Sequence, residues 1–154
     1  MKKTLILMAF SMTVFWLGHS FIYAESQATN VEARHVIGRT AAVIMAARRS
    51  AAQGDRYEGL GLALAHQVLA RELYRHGNYP EAIFHSLRAR ILAARVIQLN
   101  KNDLLNEALY DRMEAKYAQS MPPDQELDQQ LKQAKVAVMS DPEAAGAGMD
   151  LDVD

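Results

Sequence analysis

The feature that most constrains this chain is a stretch from His66 to Val96, whose pattern is typical of two helices joined by a short turn. Strong helix formers fill both halves, and the turn between them is Gly77-Asn78-Tyr79-Pro80. Glycine adopts the left-handed backbone that ends many helices, and proline suits the first turn of the next helix, where its missing N–H costs nothing. Helices joined by so short a turn are antiparallel neighbours. The stretch therefore predicts an antiparallel helical hairpin.

Small and apolar residues recur along both helices at helical spacing. The later helix has a stripe of small residues, Ala82, Ser86, Ala89, Ala93 and Val96. Its second apolar face consists of Ile83, Leu87, Ile91 and Ala94. The first helix has a matching stripe of His66, Ala70, Leu73 and Gly77. A helix that is apolar on two sides packs against neighbours on both, so the hairpin is expected to lie inside a helical bundle.

Eight positions of this stretch resemble a tetratricopeptide (TPR) motif: Ala70, Leu73, Tyr74, Gly77, Tyr79, Ala82, Ile83 and Ala89. The resemblance covers residues 66–96 alone. His66 and Ser86 stand where the motif usually has aromatic residues. The resemblance implies a protein-binding scaffold rather than a catalyst. An ordinary helical bundle that shares the turn is the alternative.

The N-terminus is similar to a bacterial Sec-type signal peptide. Two lysines precede the apolar run Thr4–Gly18, and a cleavage site is expected after Ala24. The alternative is an uncleaved anchor over residues 1–24, which would give the protein a membrane attachment. Both alternatives place the rest of the chain in the periplasm or outside the cell. The chain has no cysteine, which excludes a lipoprotein anchor and disulfides.

The remainder predicts an all-α protein with one domain of four or five helices over residues 25–139. Helices are expected over about 29–52, 57–76, 80–99, 104–120 and 125–139, separated by Gly, Asn and Pro signals. The last of these has few apolar positions, and we expect it to be peripheral or to bind a partner. Residues 140–154 are short, small and acidic, a composition typical of disorder.

Charge is distributed unevenly along the chain. Residues 31–101 contain eleven basic and five acidic side chains, whereas residues 102–154 contain four basic and twelve acidic ones. The favoured interpretation is that the two halves complement each other within one fold. The alternative is a basic surface that meets an acidic partner or lipid headgroups. The arginines lack interleaved aromatic residues, so we expect no nucleic-acid binding.

The sequence contains no established catalytic motif that we recognise, and it predicts neither an enzyme nor a bound cofactor. Two weak metal patterns are present. Glu32 and His35 form one E-x-x-H pair, whereas di-metal bundles need two. The second pattern joins two i,i+4 pairs beside the Gly77 turn: Glu72, His76, Glu81 and His85. These four ordinarily occur as surface and helix-end pairs.

The sequence therefore favours an exported, non-catalytic protein that binds another envelope or secreted protein. The residues expected to bind that partner are the side chains predicted to be exposed on the hairpin, Arg71, Tyr74, Arg75, Arg88 and Arg95. The alternatives are a metal- or small-ligand-binding bundle and a homo-oligomeric helical assembly.

Overall fold

The computed structural model describes residues 28–101 and 106–153, without the side chain of Glu107. Within these residues the chain is helical and has no strand, which confirms the predicted all-α class. There are six helices in this part rather than the four or five expected. They are α1 (Asn30–Gly54), α2 (Leu60–Arg75), α3 (Tyr79–Lys101), α4 (Arg112–Ser120), α5 (Asp124–Gln133) and α6 (Asp141–Gly146), with a short 3-10 turn at Asn106–Ala108.

The hairpin of α2 and α3 forms as its turn chemistry predicts. Gly77 has a left-handed backbone with φ of 78°. The N–H of Asn78 donates to the carbonyl of Leu73, and the N–H of Gly77 donates to that of Tyr74, which is the Schellman arrangement that closes a helix. The rings of Tyr74 and Tyr79 lie against each other beside the turn. The two helices run antiparallel.

Helix α3 is the central element of a three-helix bundle, packed against both α1 and α2. Its stripe of small residues is fully buried, from Ala82 to Val96, so the predicted packing face is confirmed. Short side chains let the helix axes approach closely, and larger residues such as Ile44 and Leu64 fill the remaining space. Each buried leucine or isoleucine contributes about 2 kcal/mol of transfer free energy. On the second predicted face Ile83 and Leu87 are buried, whereas Ile91 is exposed.

The C-terminal half wraps around this bundle with short helices. Helix α4 begins only at Arg112, with Asp111 as its N-cap, although the sequence predicted a helix from residue 104. Leu109, within the predicted range, lies before the helix begins and is exposed. Helix α5 ends at Gln133 rather than 139, and Lys135 follows with a left-handed backbone. Val138, within the predicted range, lies beyond the helix and is exposed.

The acidic C-terminal segment is folded, so the prediction of a disordered tail over residues 140–154 is wrong for residues 140–153. Asp141 accepts hydrogen bonds from the N–H groups of Gly59 and Gly61 at 3.0 and 2.8 Å, and thereby caps α2 from a distant part of the chain. Leu151 and Val153 are buried. These contacts come from residues about 80 positions away, and composition alone does not report them.

The predicted signal segment, residues 1–24, lies outside the described residues. Among the helices that the structure does describe, none combines the length and the apolar character needed to cross a bilayer.

Candidate functional site

The basic side chains of the hairpin that the sequence singled out have very different surroundings. Arg75 and Arg95 are exposed, as expected, whereas Arg71 and Tyr74 are half-buried. Arg71 donates to a carboxylate oxygen of Asp150 at 2.8 Å. The expectation that all five are exposed is therefore wrong for Arg71 and Tyr74, and most clearly for Arg88, which is only 8% exposed.

Arg88 is covered by α5, which supplies two carboxylates to its guanidinium. Its Nη1 donates to Asp124 at 2.6 Å. Its Nε and Nη2 donate to the two oxygens of Asp128, both at 3.0 Å. This two-pronged arrangement is the strong form of an arginine–carboxylate pair. The arginine thus fixes both the position and the rotation of α5 on the hairpin.

A pair of buried histidines lies beside this arginine. His66 on α2 and His85 on α3 are 0% and 2% exposed, and their rings stack with centroids 5.2 Å apart. Their Nδ1 atoms are 2.9 Å apart, and the Nε2 of His66 is 3.0 Å from Asp128. With Asp128 ionised, His66 donates from Nε2, and its Nδ1 then accepts the proton that His85 carries on its own Nδ1. The result is a hydrogen-bonded chain from the carboxylate on α5 through α2 to α3, in which both imidazoles are neutral.

The protein environment keeps this pair uncharged. Burial, followed by the charge of His66, lowers the pKa of His85 to about 4. Burial also lowers the pKa of His66, although Asp128 acts in the opposite direction. Burial acts to raise the pKa of Asp128, but the hydrogen bonds from Arg88 and His66 outweigh it and leave that pKa lowered. The site therefore combines two carboxylates, one guanidinium and two neutral imidazoles at neutral pH.

Apolar contacts complete the surface that α5 covers. Leu127 and Leu131 are the buried residues of α5, and Leu131 packs against Ala65 and Leu69 on α2. We call the hairpin surface beneath this helix the α5 groove; it consists of Ala65, His66, Leu69, His85 and Arg88. It joins a narrow apolar strip to a few oriented polar groups, which is the composition of a recognition site.

A second buried polar network joins α1, α3 and α4. Arg90 and Glu114 are both 0% exposed, and the Nη2 of Arg90 donates to Glu114 at 2.7 Å. Arg90 also donates to Thr40 and to the carbonyl of Val36, and Arg39 pairs with Glu114 from the other side. These contacts hold α4 on the bundle.

The predicted metal ligands beside the turn do not come together. His76 is exposed and lies 3.1 Å from Glu72, whereas His85 is buried against His66 and Glu81 is exposed. In the E-x-x-H pair, Glu32 instead contacts Lys116, whose hydrogen bond is the largest cause that lowers the pKa of Glu32 to about 2.

The described part of the chain has one cluster of three possible metal ligands, namely His35, Asp111 and Glu114. Asp111 and Glu114 each pair with Arg39, and Glu114 also pairs with Arg90. These guanidinium groups already neutralise the carboxylates and stand where a cation would need space. The geometry therefore gives a divalent ion little to gain at this cluster.

Ion pairs between the two halves of the chain explain the uneven charge. Arg39, Arg71, Arg88 and Arg90 all pair with acidic residues from beyond residue 105. This arrangement confirms the favoured interpretation that the halves complement each other within one fold.

Sequence reasoning missed Asp124 and Asp128 as the residues that face the hairpin. A signal was present, because the segment 124–131 has carboxylates four residues apart and leucines four residues apart, in the order D-x-x-L-D-x-x-L. That spacing places all four side chains on one side of a helix. Comparison with protein-family models, with curated proteins and with solved structures finds no match to this chain.

Proposed function

We propose that this protein is an exported, non-catalytic interaction module that binds another protein of the cell envelope or the secreted medium. The observation that carries the proposal is the α5 groove, in which a helical hairpin binds a short amphipathic helix. Docking of a helix into a groove, anchored at i, i+4 positions, is a recurrent mode of protein recognition. The TPR-like residues of the hairpin agree with this kind of work.

The surroundings of the charged groups support a binding role over a catalytic one. His66 and His85 are held neutral in a closed chain of hydrogen bonds, and Glu114 is enclosed by two arginines. A general acid or base needs access to substrate and a proton to exchange. In the described residues these buried groups instead join helices to one another. The signal-like sequence of residues 1–24 supports export.

The test is in-cell crosslinking of the full-length protein, tagged at the C-terminus through a flexible linker, followed by mass spectrometry of captured proteins. The variant is Arg75→Glu with Arg95→Glu, which inverts two exposed charges. Arg34→Glu with Arg49→Glu is the matched control, because it inverts two exposed charges on α1, outside the hairpin and α5. The proposal predicts that wild type and the control variant, which both have an unaltered hairpin, repeatedly capture the same envelope partner. Detection of abundant envelope proteins shows that the crosslinking works. If repeated captures of this kind contain no specific partner of the tagged protein, the proposal is contradicted.

A further inference from the structure

Helix α5 has the properties of an element that can leave the bundle. It spans ten residues from Asp124, and its N-cap residue, Pro123, makes no side-chain capping hydrogen bond. Helices shorter than about 12–15 residues are marginal in water without tertiary contacts. Pro122 and Pro123 precede it, and an exposed segment follows it. We therefore expect its helical structure to depend on docking in the α5 groove.

The bundle core, in contrast, does not depend on α5. The apolar clusters between α1, α2 and α3 draw on α4 through Tyr117 and on α6 through Ala144. In the described residues, α5 contributes only Leu131 to these clusters, and that residue belongs to a small separate group with Ala65 and Leu69. Departure of α5 therefore leaves the main apolar contacts intact.

If α5 leaves, the exposed α5 groove can be hydrated as well as bind a ligand. A guanidinium and two imidazoles regain hydration when α5 leaves, so their exposure carries little penalty. Only a narrow strip around Ala65 and Leu69 is apolar. A face that is purely a core contact is ordinarily apolar throughout, whereas this one has four directed donor atoms: three from Arg88 and one from His66.

We propose that the α5 groove is the docking site for an acidic amphipathic helix of the partner protein, and that α5 occupies it until the partner displaces it. This inference rests on the proposed function and adds the chemistry of the partner. The partner helix carries two carboxylates four residues apart and two leucine-sized residues four residues apart, as α5 does at Asp124, Asp128, Leu127 and Leu131.

The positive charge of Arg88 in the α5 groove favours an acidic helix as its ligand. Arg88 directs Nη1 to one carboxylate and Nε with Nη2 to another, so a single arginine requires two acids at helical spacing. His66 adds a donor to the second acid. A basic or neutral helix would leave the buried guanidinium without a partner, which is unfavourable.

The test measures binding of a fluorescent peptide with the sequence of residues 121–136 to the purified protein by polarisation. Wild type is compared with an α5-weakened variant, Leu127→Ser with Leu131→Ser, which loses both buried anchors of α5. We expect the peptide to bind the α5-weakened variant at least tenfold more tightly than wild type, because the internal competitor is impaired. Adding Arg88→Gln to that variant is expected to weaken binding at least tenfold.

A peptide control keeps the test independent of protein folding. The same peptide with Asp124→Asn and Asp128→Asn retains both leucines, and we expect it to bind at least tenfold more weakly. Equal binding of the two peptides would overturn the charge recognition. Absence of binding to an α5-weakened variant that keeps its helical circular dichroism would overturn the docking site. A wild-type dimer that exchanges α5 between copies would assign the groove to a second copy instead.

These outcomes are separate from those of the proposed function. The peptide measurement needs no captured partner, so it can fail while in-cell capture succeeds. If a captured partner is not released by excess peptide of residues 121–136, the protein is an interaction module that uses another surface. If the peptide binds but nothing is captured in cells, the proposed function fails instead.

Discussion

Acidification is expected to destabilise this protein through its buried histidine pair, and His85→Gln is expected to remove much of that effect. Burial, followed by the charge of His66, holds the pKa of His85 at about 4, against the ordinary value of 6.5. Between these pH values the unfolded chain binds a proton that the folded protein does not. Stability therefore falls as the pH falls through this window.

The magnitude follows from the two pKa values. At pH 7 His85 is neutral in both states, so it contributes almost nothing to the pH dependence. At pH 4.5 it is almost fully protonated in the unfolded chain and mostly neutral in the fold, which costs about 2–3 kcal/mol. Burial also lowers the pKa of His66, and this adds a loss of the same sign. Asp128 and Asp124 reduce the loss by favouring protonation of His66, whereas Arg88 increases it.

The assay is urea unfolding at pH 7.0 and pH 4.5, followed by circular dichroism at 222 nm. The variant His85→Gln removes the titrating imidazole and keeps a polar side chain at the same position. We expect the stability difference between the two pH values to shrink by about 2 kcal/mol. His76→Gln is the control, because His76 is exposed. The reasoning is refuted if wild type and His85→Gln show the same pH dependence.

Three further substitutions test the contacts of the C-terminal half. Glu114→Ala leaves the fully buried Arg90 without its carboxylate, and urea unfolding should show a loss of about 3–5 kcal/mol. Asp141→Ala removes the distant cap of α2, and thermal unfolding should show a loss of about 1 kcal/mol. Gly61→Ala places a Cβ against the carbonyl oxygen of Met139, and the same assay should show a loss of about 1–3 kcal/mol.

Matched substitutions separate these effects from general damage. Glu126→Gln changes an exposed acid on α5 and should leave stability within about 0.5 kcal/mol. Gly146→Ala meets no neighbouring atom within 4 Å and should be equally mild. Asp141→Asn keeps one of its two acceptor positions and should cost less than Asp141→Ala. Equal losses for Gly61→Ala and Gly146→Ala would refute the close approach of the C-terminal segment to α2.

The hairpin could be predicted from the sequence because its determinants are local. The turn needs a left-handed backbone at one residue, and Gly77 adopts it without strain. The stripe from Ala82 to Val96 lies on a single helix. The complementary charge of the two halves was also visible in the sequence. These features depend on spacing within a few turns or on composition, and both can be read without a structure.

The α5 groove could not be predicted, because its parts meet only in three dimensions. In the sequence, Arg88 has the pattern of a surface arginine. Its partners Asp124 and Asp128 lie about 40 residues away in the chain and contact it only in the fold. In the sequence, His85 has the i,i+4 spacing of a surface pair with Glu81, whereas in the fold it contacts His66. The composition of residues 140–154 predicts disorder, because Leu151 and Val153 are too few to signal a core contact on their own.

Native-state hydrogen exchange of the purified protein is the most direct test of the central claim that α5 docks reversibly on a bundle that is stable without it. Exchange reports the free energy of opening for each segment. We predict that the amides of residues 127–133 exchange through a local opening at least tenfold more readily than those in the middle of α2 and α3. If the amides of α5 exchange only when the whole bundle unfolds, α5 is a fixed part of the core and the account is contradicted.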